Sequence, residues 1–189
     1  MLAGSYPRNM TTGPSLSLPE WTVLAILAER PAHGFALAQL TAPGGELGRI
    51  WQIPKAVIYR AIGRLEAAGL ITPQGTQPGL GPQRTLYTAT RRGRLAAQAW
   101  LEMPVEHVRD IRSELLLKLA LLDRAGSDPA DLIRRQRAAL EPIARAIETG
   151  RPEPAGFDAT LLAWRRAGAA AALDFLEAIT EREAAPRGS

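Results

Sequence analysis

The amino-acid sequence predicts a mainly α-helical fold with one small β-hairpin, and three observations support this fold class. Apolar residues recur at i, i+3, i+4 and i+7 along most of the chain, which is typical of helices that bury one face. Residues 70–88 hold two short strand patterns around a segment, 73–82, that contains three Gly and three Pro. A helix pattern ends just before this hairpin, and another begins just after it. Helix, hairpin and further helix in this order predict a winged helix-turn-helix whose hairpin is the wing.

The helix in front of the hairpin begins at Pro54, whose fixed backbone angle suits a first helical position, and Gly69 is its candidate C-terminal cap. One side of this helix is an apolar stripe made of Ile58, Ala61, Ile62 and Leu65. The other side carries two cations and a tyrosine among small residues, namely Lys55, Ala56, Tyr59, Arg60 and Gly63. Such a face can lie against a polyanion, although a merely solvated cationic face is the common alternative.

Two further helices are predicted between residues 16 and 51. Ser17 and Glu20 form a capping-box pattern at the start of the first helix, which runs to about Arg30. Residues 31–34 are predicted to form a turn that leads into a second helix, 35–40. The Pro and Gly residues after residue 40 end this helix. A short helical turn is expected over 46–51.

Beyond the hairpin, Thr90 is placed to cap a fourth helix, whose first turn contains Arg91, Arg92 and Arg94. The positive end of a helix dipole makes a cation there unfavourable by a few tenths to about 1 kcal/mol. A phosphate backbone beside the helix would offset this cost, so the three cations predict a polyanionic partner. The alternative is that the three side chains only point into water.

The C-terminal half is predicted to be helical and to need a partner. Helix patterns cover 105–122, a segment that begins at Asp128-Pro129, and 159–182, and the second half of the first is apolar nearly all round, so it should be covered on several sides. Three such helices in about eighty residues form a poor core alone, which predicts pairing with a second copy of the chain. The candidate dimer-interface residues are Leu115, Leu119, Leu122, Trp164, Gly168 and Phe175.

The predicted domain organisation is a flexible N-terminal arm over 1–15, a winged helix over 16–103 and a helical dimerisation domain over 104–189. The formal net charge is +4, and residues 1–95 hold ten Lys or Arg against four Glu, so the basic excess lies where a polyanion would bind. The chain has no Cys, which excludes disulfides and thiolate chemistry. No run approaches the roughly 18 consecutive apolar residues of a membrane span, so a cytoplasmic protein is predicted.

Little in the sequence favours an enzyme. The two histidines, His33 and His107, fall in different predicted domains and form no imidazole cluster. Glu106, Asp110 and Glu114 make a row at helical spacing, which is far more typical of a solvated helix face than of a metal site. The glycines of the wing lack the strand-to-helix context and the lysine of a phosphate-binding loop. The sequence therefore predicts no catalytic residue, no metal site and no cofactor.

Four motifs in the N-terminal half stand in a specific order and spacing. They are Leu24-Ala25-Ile26-Leu27, then His33-Gly34-Phe35, then the run from Ile58 to Ile71, and last Leu86-Tyr87-Thr88-Ala89-Thr90 with Gly93. Together they resemble the PadR family of bacterial transcriptional regulators over about residues 18–94, and the helical tail is similar to the dimerisation domain of the longer PadR subfamily. The chain departs from the family at Phe35, where Tyr is usual, and at Ile53-Pro54, where Ser or Thr commonly precedes the helix.

The resemblance implies that the helix before the hairpin lies in the DNA major groove and that the wing lies along the backbone or minor groove. The implied DNA-binding residues are Lys55, Tyr59, Arg60, Arg64, Arg84, Arg91 and Arg92. Arg64 is nearer the core boundary, and an ion pair within the protein is the alternative for it. A homodimer would present two such helices roughly 34 Å apart and so prefer an inverted-repeat operator.

In relatives that bind flat aromatic compounds, the site lies where the winged helix meets the dimerisation domain. The resemblance makes Trp100 the candidate effector-binding residue, and ordinary packing between the domains is the alternative for it. Residues and resemblance together predict a sequence-specific DNA-binding regulator of the bacterial cytoplasm and nucleoid, a homodimeric repressor that responds to a small molecule or another signal. The competing hypothesis is a winged-helix adaptor that binds another protein and does not read DNA.

Overall fold

The computed structural model describes residues 15–77, 84–149 and 154–184. Its helices are α1 (Leu18–Glu29), α2 (Gly34–Thr41), α3 (Lys55–Ala67), α4 (Arg91–Leu101), α5 (Leu116–Arg124), α6 (Ala130–Thr149) and α7 (Phe157–Ala184). Its strands are β1 (Ala32–His33), β2 (Ile71–Gln77) and β3 (Arg84–Ala89). The predicted fold class is confirmed, because helices dominate and one small antiparallel sheet forms the wing. Most of the predicted N-terminal arm and the wing tip, 78–83, lie outside the described residues.

The predicted capping box opens α1. The backbone N–H of Ser17 donates to Oε2 of Glu20 at 2.6 Å, and the Ser17 hydroxyl donates to the same oxygen at 2.8 Å. The apolar side chains from Val23 to Leu27 are buried, and α1 packs against both α3 and α4. Helix α1 is therefore the centre of the winged helix, and the position of α3 depends on it.

The sheet has three strands in the order β1-β3-β2, one strand more than the sequence predicted. The predicted turn at 31–34 contains β1, because Ala32 and His33 pair with Tyr87 and Leu86 of β3. A two-residue strand has no periodicity of its own, so only its distant partner defines it.

The predicted loop over 73–82 is too long. Strand β2 continues to Gln77, which pairs with Arg84, and a bulge lies between Pro73 and Gly75. A bulge accommodates a proline that cannot donate to the ladder, and Gly75, at φ 151°, adopts a backbone conformation that few other residues reach. Proline and glycine therefore occur inside this strand instead of ending it.

Helix α3 begins at Lys55, one residue later than predicted, with Pro54 as its N-cap and no side-chain cap. The predicted apolar stripe is confirmed, since Ile58, Ala61, Ile62 and Leu65 are the buried residues of the helix. At the other end, the N–H of Gly69 donates to Glu66 at 2.9 Å, the N–H of Leu70 donates to Leu65 at 2.9 Å, and Gly69 has φ 67°. This is a Schellman cap, so the predicted capping role of Gly69 is confirmed.

Hydrogen bonds connect the N-terminus of α4 to the C-terminal end of α3. The Thr90 side chain accepts the N–H of Gly93 at 3.1 Å, as predicted for a cap, and its hydroxyl lies 3.0 Å from the carbonyl oxygen of Gly69. A Cβ added to Gly93 would stand 2.0 Å from the carbonyl oxygen of Leu70. Only glycine permits this approach of α4 to the backbone between α3 and β2.

The helix predicted over 105–122 is wrong in its first half. A 3-10 turn (Val108–Asp110) and a π turn (Ile111–Leu115) precede α5. The reason lies in α6, where the buried side chain of Gln136 accepts the N–H of Val105 at 2.7 Å and donates to the carbonyl of Val105 at 3.0 Å. Because this amide satisfies both backbone groups of Val105, the segment needs no helical partners there.

Two apolar cores share α5. Leu117 and Leu121 belong to the core of the winged helix, which α1 to α4 and the sheet complete. Leu115, at the end of the π turn, belongs to the second core with α6 and α7, and Leu119 and Leu122 pack against it. The prediction that this segment is covered on several sides is confirmed. One short helix is thus in contact with both halves of the protein.

Candidate functional site

The outer face of α3 presents cations and a phenol to solvent. Lys55, Tyr59 and Arg60 are exposed, and 48% of the Tyr59 surface is accessible. A Cβ added to Gly63, on the same face, would meet nothing within 4 Å, so the surface is open there. The buried stripe of α3 fixes the rotation of the helix and therefore keeps these groups outward. A helix face of this composition can approach a polyanion closely.

Phe35, the second residue of α2, lies between α3 and the wing. The Nζ of Lys55 lies 5.7 Å from the centroid of the Phe35 ring, and the guanidinium carbon of Arg84, the first residue of β3, lies 4.6 Å from it. The Nζ of Lys55 also lies 6.0 Å from the centroid of the Tyr59 ring. The structure thus brings Lys55, Tyr59 and Arg84 of the predicted site together around an aromatic side chain that was not predicted to belong to it.

These side chains line an open cleft of about 630 Å³ between α3 and the wing. Tyr87 and Glu66 also line it, and burial together with the nearby Glu66 carboxylate raises the pKa of the Tyr87 phenol. A Cβ added to Gly34 would stand 2.8 Å from Cε1 of Tyr59. The glycine of the His33-Gly34-Phe35 motif therefore makes room for the Tyr59 ring.

Arg64 forms an ion pair inside the protein. Its Nε lies 2.9 Å from Oε1 of Glu20, whose side chain is 3% exposed while that of Arg64 is 70% exposed. The same carboxylate closes the capping box of α1 through Ser17. Arg64 therefore forms the ion pair within the protein that was the alternative to a DNA contact, and most of its side chain is still exposed to solvent.

Two of the three arginines at the start of α4 donate to backbone carbonyls. The Nη1 of Arg92 lies 3.4 Å from the carbonyl oxygen of Ala68, and the Nη1 of Arg94 lies 2.6 Å from that of Ala89. These bonds fasten α4 to the ends of α3 and β3. They offset part of the helix-dipole cost without a polyanion, an explanation that the sequence did not suggest. Arg91 is exposed.

The predicted row of carboxylates does not form. Glu106 precedes the first helical turn of its segment, and Glu114 pairs with Lys118 at 2.8 Å. In the described ranges, no three His, Asp or Glu side chains are arranged to hold a metal ion. None of the helices in these ranges has the length and apolar character needed to cross a lipid bilayer.

A comparison with protein families found a match that includes this surface. The family described as "Transcriptional regulator PadR-like family" matches residues 23–99, which include α3, the wing and most of α4. The matched residues contain most of the winged helix seen in this structure. The resemblance inferred from the motifs is confirmed over this part of the chain. A comparison with curated proteins found no match.

Several solved structures are similar to this chain. PadR of Bacillus subtilis in complex with operator DNA is 20% identical, with 86% of this chain and 97% of that chain covered and a TM-score of 0.45. PadR of Bacillus subtilis in complex with p-coumaric acid is 16% identical, with 88% and 98% covered and a TM-score of 0.41. The protein smu.1704 of Streptococcus mutans UA159 is 26% identical, with 43% and 71% covered and a TM-score of 0.36.

The winged helix meets the C-terminal helices at Trp100, which is 5% exposed. Its ring stacks on Trp21 with centroids 5.6 Å apart, and its indole N–H donates to Glu114 at 3.1 Å. The Nζ of Lys118 lies 4.8 Å from the Trp100 centroid and donates to the carbonyl of Met103 at 2.7 Å. Trp100 is therefore packed into a polar network here, and any ligand that stacks on it must displace part of that network.

A second contact joins the winged helix to α5. The Nε and Nη2 of Arg124 donate to the Glu29 carboxylate at 3.2 and 3.3 Å, and Nη1 donates to Glu46. The Arg124 side chain is 8% exposed. Glu29 ends α1, and Glu46 lies in the connection from α2 to α3. Arg124 therefore connects α5 to α1, which packs against α3, and to the segment that leads into α3.

Three of the predicted dimer-interface residues share one surface of the C-terminal helices. Trp164, Gly168 and Phe175 line an apolar groove of about 380 Å³, together with Val108 and Ile111. Trp164 is 74% exposed at the edge of this groove. The surface has the small and aromatic residues that the sequence predicted for a helix contact.

The three leucines of the predicted interface lie elsewhere. Leu115 is fully buried within the second core, whereas Leu119 and Leu122 are partly buried against it. In this structure, Leu115 stabilises the single chain and has no accessible surface for a partner.

No functional role was predicted from the sequence for Phe35, Glu20 or Arg124. The one available signal was the His33-Gly34-Phe35 motif, in which Nδ1 of His33 also accepts the N–H of Ala36 at 3.0 Å and so caps α2. Charged partners that are 44 or 95 residues apart, such as Glu20 with Arg64 and Glu29 with Arg124, leave no local pattern.

Proposed function

We propose that the protein is a sequence-specific transcriptional regulator that binds double-stranded DNA through α3 and the wing. The observation that carries this proposal is the outer face of α3, where Lys55, Tyr59 and Arg60 are exposed above a buried apolar stripe and beside Arg84 of the wing. In winged helices that bind DNA, a helix of this kind reads the major groove. The basic excess of residues 1–95 favours the same partner.

The proposed contacts divide into those that read bases and those that position the protein. Arg60 can present two donors to a guanine edge, and Lys55 binds phosphate or guanine beside it. Tyr59 bonds a phosphate or braces the helix. The cations outside α3 meet phosphates, and these are Arg84, Arg91 and Arg92. Arg64 uses Nε for Glu20 and offers its remaining N–H groups to the same backbone.

We further propose that two copies pair through the groove around Trp164 and act as a repressor at an inverted-repeat operator in the bacterial cytoplasm. An exposed tryptophan beside an apolar groove is typical of an interaction site. A two-fold pair would set the two α3 helices roughly one duplex turn, about 34 Å, apart. In this proposal, residues 16–103 form the DNA-binding domain and residues 104–189 form the dimerisation domain.

Regulation by a small molecule or another signal would act through α5, because that helix belongs to both cores and carries Arg124. Trp100 remains the candidate effector-binding residue, and its stack on Trp21 would open when a flat ligand enters. A shift of α5 would then change the spacing of the two α3 helices.

A fluorescence-anisotropy titration tests the central proposal. Duplexes that the protein binds are first selected from a random-sequence pool, and their affinity is then measured at several salt concentrations. We expect a clear sequence preference and a steep loss of affinity with salt, since log K falls by about 0.9 per log unit of salt for each neutralised phosphate. Lys55→Ala combined with Arg60→Ala should lower the affinity at least about tenfold.

The matched control is Arg134→Ala combined with Arg137→Ala, which removes the same charge from exposed positions of α6. Its affinity should stay close to that of the wild type. Binding that ignores salt and sequence, or equal losses in the two double variants, would contradict the proposal. That result would favour the protein-interaction adaptor.

A further inference from the structure

We propose that Phe35 is a positioning residue that holds Lys55 of α3 and Arg84 of the wing together as a two-cation clamp for the phosphate backbone of the bound DNA. This inference rests on the proposed function and specifies how its surface is organised. The two cationic groups come from separate elements, yet both lie over the one ring, with Nζ of Lys55 5.7 Å and the guanidinium carbon of Arg84 4.6 Å from its centroid. They are therefore at most about 10 Å apart.

Charge repulsion alone would separate these two cations. They repel each other, and Lys55 is the first residue of α3, where the positive end of the helix dipole also opposes a cation. The π face of an aromatic ring carries negative charge density, so it attracts both groups and offsets this repulsion. Phe35 is 36% exposed, so the ring lies at the surface, where Lys55 and Arg84 are also exposed.

The backbone around Phe35 fixes the ring relative to both elements. His33 pairs with Leu86 of β3, the strand that begins with Arg84, and its Nδ1 caps α2. On the other side, Gly34 lets the Tyr59 ring of α3 approach to a distance that a Cβ would forbid. The ring therefore stands at a fixed place between the base of the wing and the start of α3.

A clamp of this kind suits the regular spacing of backbone charges. Each strand of DNA carries one phosphate per about 3.4 Å of helix axis, so two cations within about 10 Å can meet neighbouring phosphates. Because the ring holds them in place before binding, less side-chain entropy is lost on association. The clamp should contribute to affinity for every sequence and should not change which sequence is preferred.

The test compares Phe35→Leu, which removes the ring, with Phe35→Tyr and Phe35→Trp, which keep one. We expect Phe35→Leu to lower DNA affinity roughly fivefold to tenfold and to reduce the steepness of its salt dependence. The two aromatic variants should stay within about twofold of the wild type. Sequence preference should be the same in all four proteins.

Two readouts separate positioning from general damage to the fold. In the combined variant Lys55→Ala, Arg84→Ala, the further change Phe35→Leu should have little effect on affinity, because its two partners are already gone. In the wild type without DNA, NMR should show upfield ring-current shifts of the Lys55 and Arg84 side-chain protons. This second measurement needs no variant and is independent of Phe35→Leu folding.

Failure of the inference and failure of the proposed function give different results. If the wild type shows no salt-dependent, sequence-preferring DNA binding, the proposed function fails. If the wild type binds but Phe35→Leu binds equally well, or loses as much affinity in the Lys55→Ala, Arg84→Ala background as alone, the clamp is refuted. Absence of ring-current shifts in the wild type would also overturn it.

Discussion

Arg64 of α3 and Glu20 of α1 form an ion pair in which Nε and Oε1 are 2.9 Å apart, with the carboxylate buried and the guanidinium exposed. Glu20 also accepts the backbone N–H of Ser17, so one carboxylate closes the cap of α1 and fixes the side of α3. This arrangement connects the central helix of the winged helix to the helix proposed to bind DNA. Loss of this ion pair should therefore lower the stability of the fold first, and affect DNA recognition only as a consequence.

Arg64→Met tests this connection. The substitution keeps the aliphatic stem but leaves a buried carboxylate without its counter-charge, and we expect the free energy of unfolding to fall by about 1 to 2 kcal/mol. Urea titration monitored by circular dichroism measures it. Arg60→Met, on the exposed face of the same helix, is the control and should stay within about 0.5 kcal/mol of the wild type. Equal effects of the two variants would disprove a structural role for the pair.

A second prediction concerns the close approach of α4 to the exit of α3. In Gly93→Ala, the new Cβ would stand 2.0 Å from the carbonyl oxygen of Leu70, a backbone atom that cannot move alone. We expect a loss of about 3 kcal/mol in unfolding free energy. Gly63→Ala is the matched control, since it lies in a helix with open space around its Cβ, and it should stabilise the protein by about 0.5 to 1 kcal/mol. A Gly93→Ala protein as stable as Gly63→Ala would contradict this close approach of the two backbones.

The buried ammonium of Lys118 predicts a pH dependence. Burial lowers the pKa of Lys118 below 10.5, although the hydrogen bond that the ammonium donates to Glu114 opposes this shift. The unfolded chain keeps the proton up to about 10.5, whereas the folded protein releases it at a lower pH, so the unfolded state binds more protons in this interval. The contribution of Lys118 to stability therefore rises with pH between its lowered pKa and 10.5.

Unfolding free energies of the wild type and Lys118→Met, measured from neutral pH towards pH 10.5, check this sign. The difference, wild type minus variant, should increase as pH rises. Other titrating groups, including Tyr87 with its raised pKa, are present in both proteins and so cancel to first order. A difference that is flat or decreases with pH is incompatible with a lowered pKa for Lys118.

The proposed dimer surface gives a prediction about assembly. Trp164→Glu places a charge at the edge of the apolar groove, and we expect the dimer dissociation constant to increase at least about tenfold, because an aromatic contact is replaced by a desolvated carboxylate. Analytical ultracentrifugation measures it. The control is Phe157→Glu, which changes another highly exposed aromatic residue of α7 that does not line this groove. A monomeric wild type, or equal weakening by both changes, would exclude this surface.

A structural change in one half of the protein would reach the other half through α5, because this helix belongs to both cores. Leu117 and Leu121 face the winged helix, Arg124 holds Glu29 and Glu46, and the π turn before α5 belongs to the other core. A π turn carries an extra residue in its hydrogen-bonded ring and often occurs where a helix adjusts its register. The start of α5 is therefore the element whose movement would affect both cores together.

Local chemistry in the sequence was sufficient for much of this fold. The apolar stripe of α3, the Ser17 and Thr90 caps and the exit at Gly69 each depend on residues within one or two helical turns, and all of them are confirmed. The outward position of Lys55 and Tyr59 follows from the same stripe, because fixing one face of a helix fixes the opposite face.

Features that depend on distant segments were decided only by the tertiary structure. Strand β1 exists because β3 pairs with it, and the helix expected from residue 105 is interrupted because a buried Gln136 occupies the backbone of Val105. The role of Phe35 likewise appears only when α3 and the wing stand beside α2. Sequence periodicity records which face of an element is buried, but it does not record which distant side chain will meet that face, since that depends on how the elements pack.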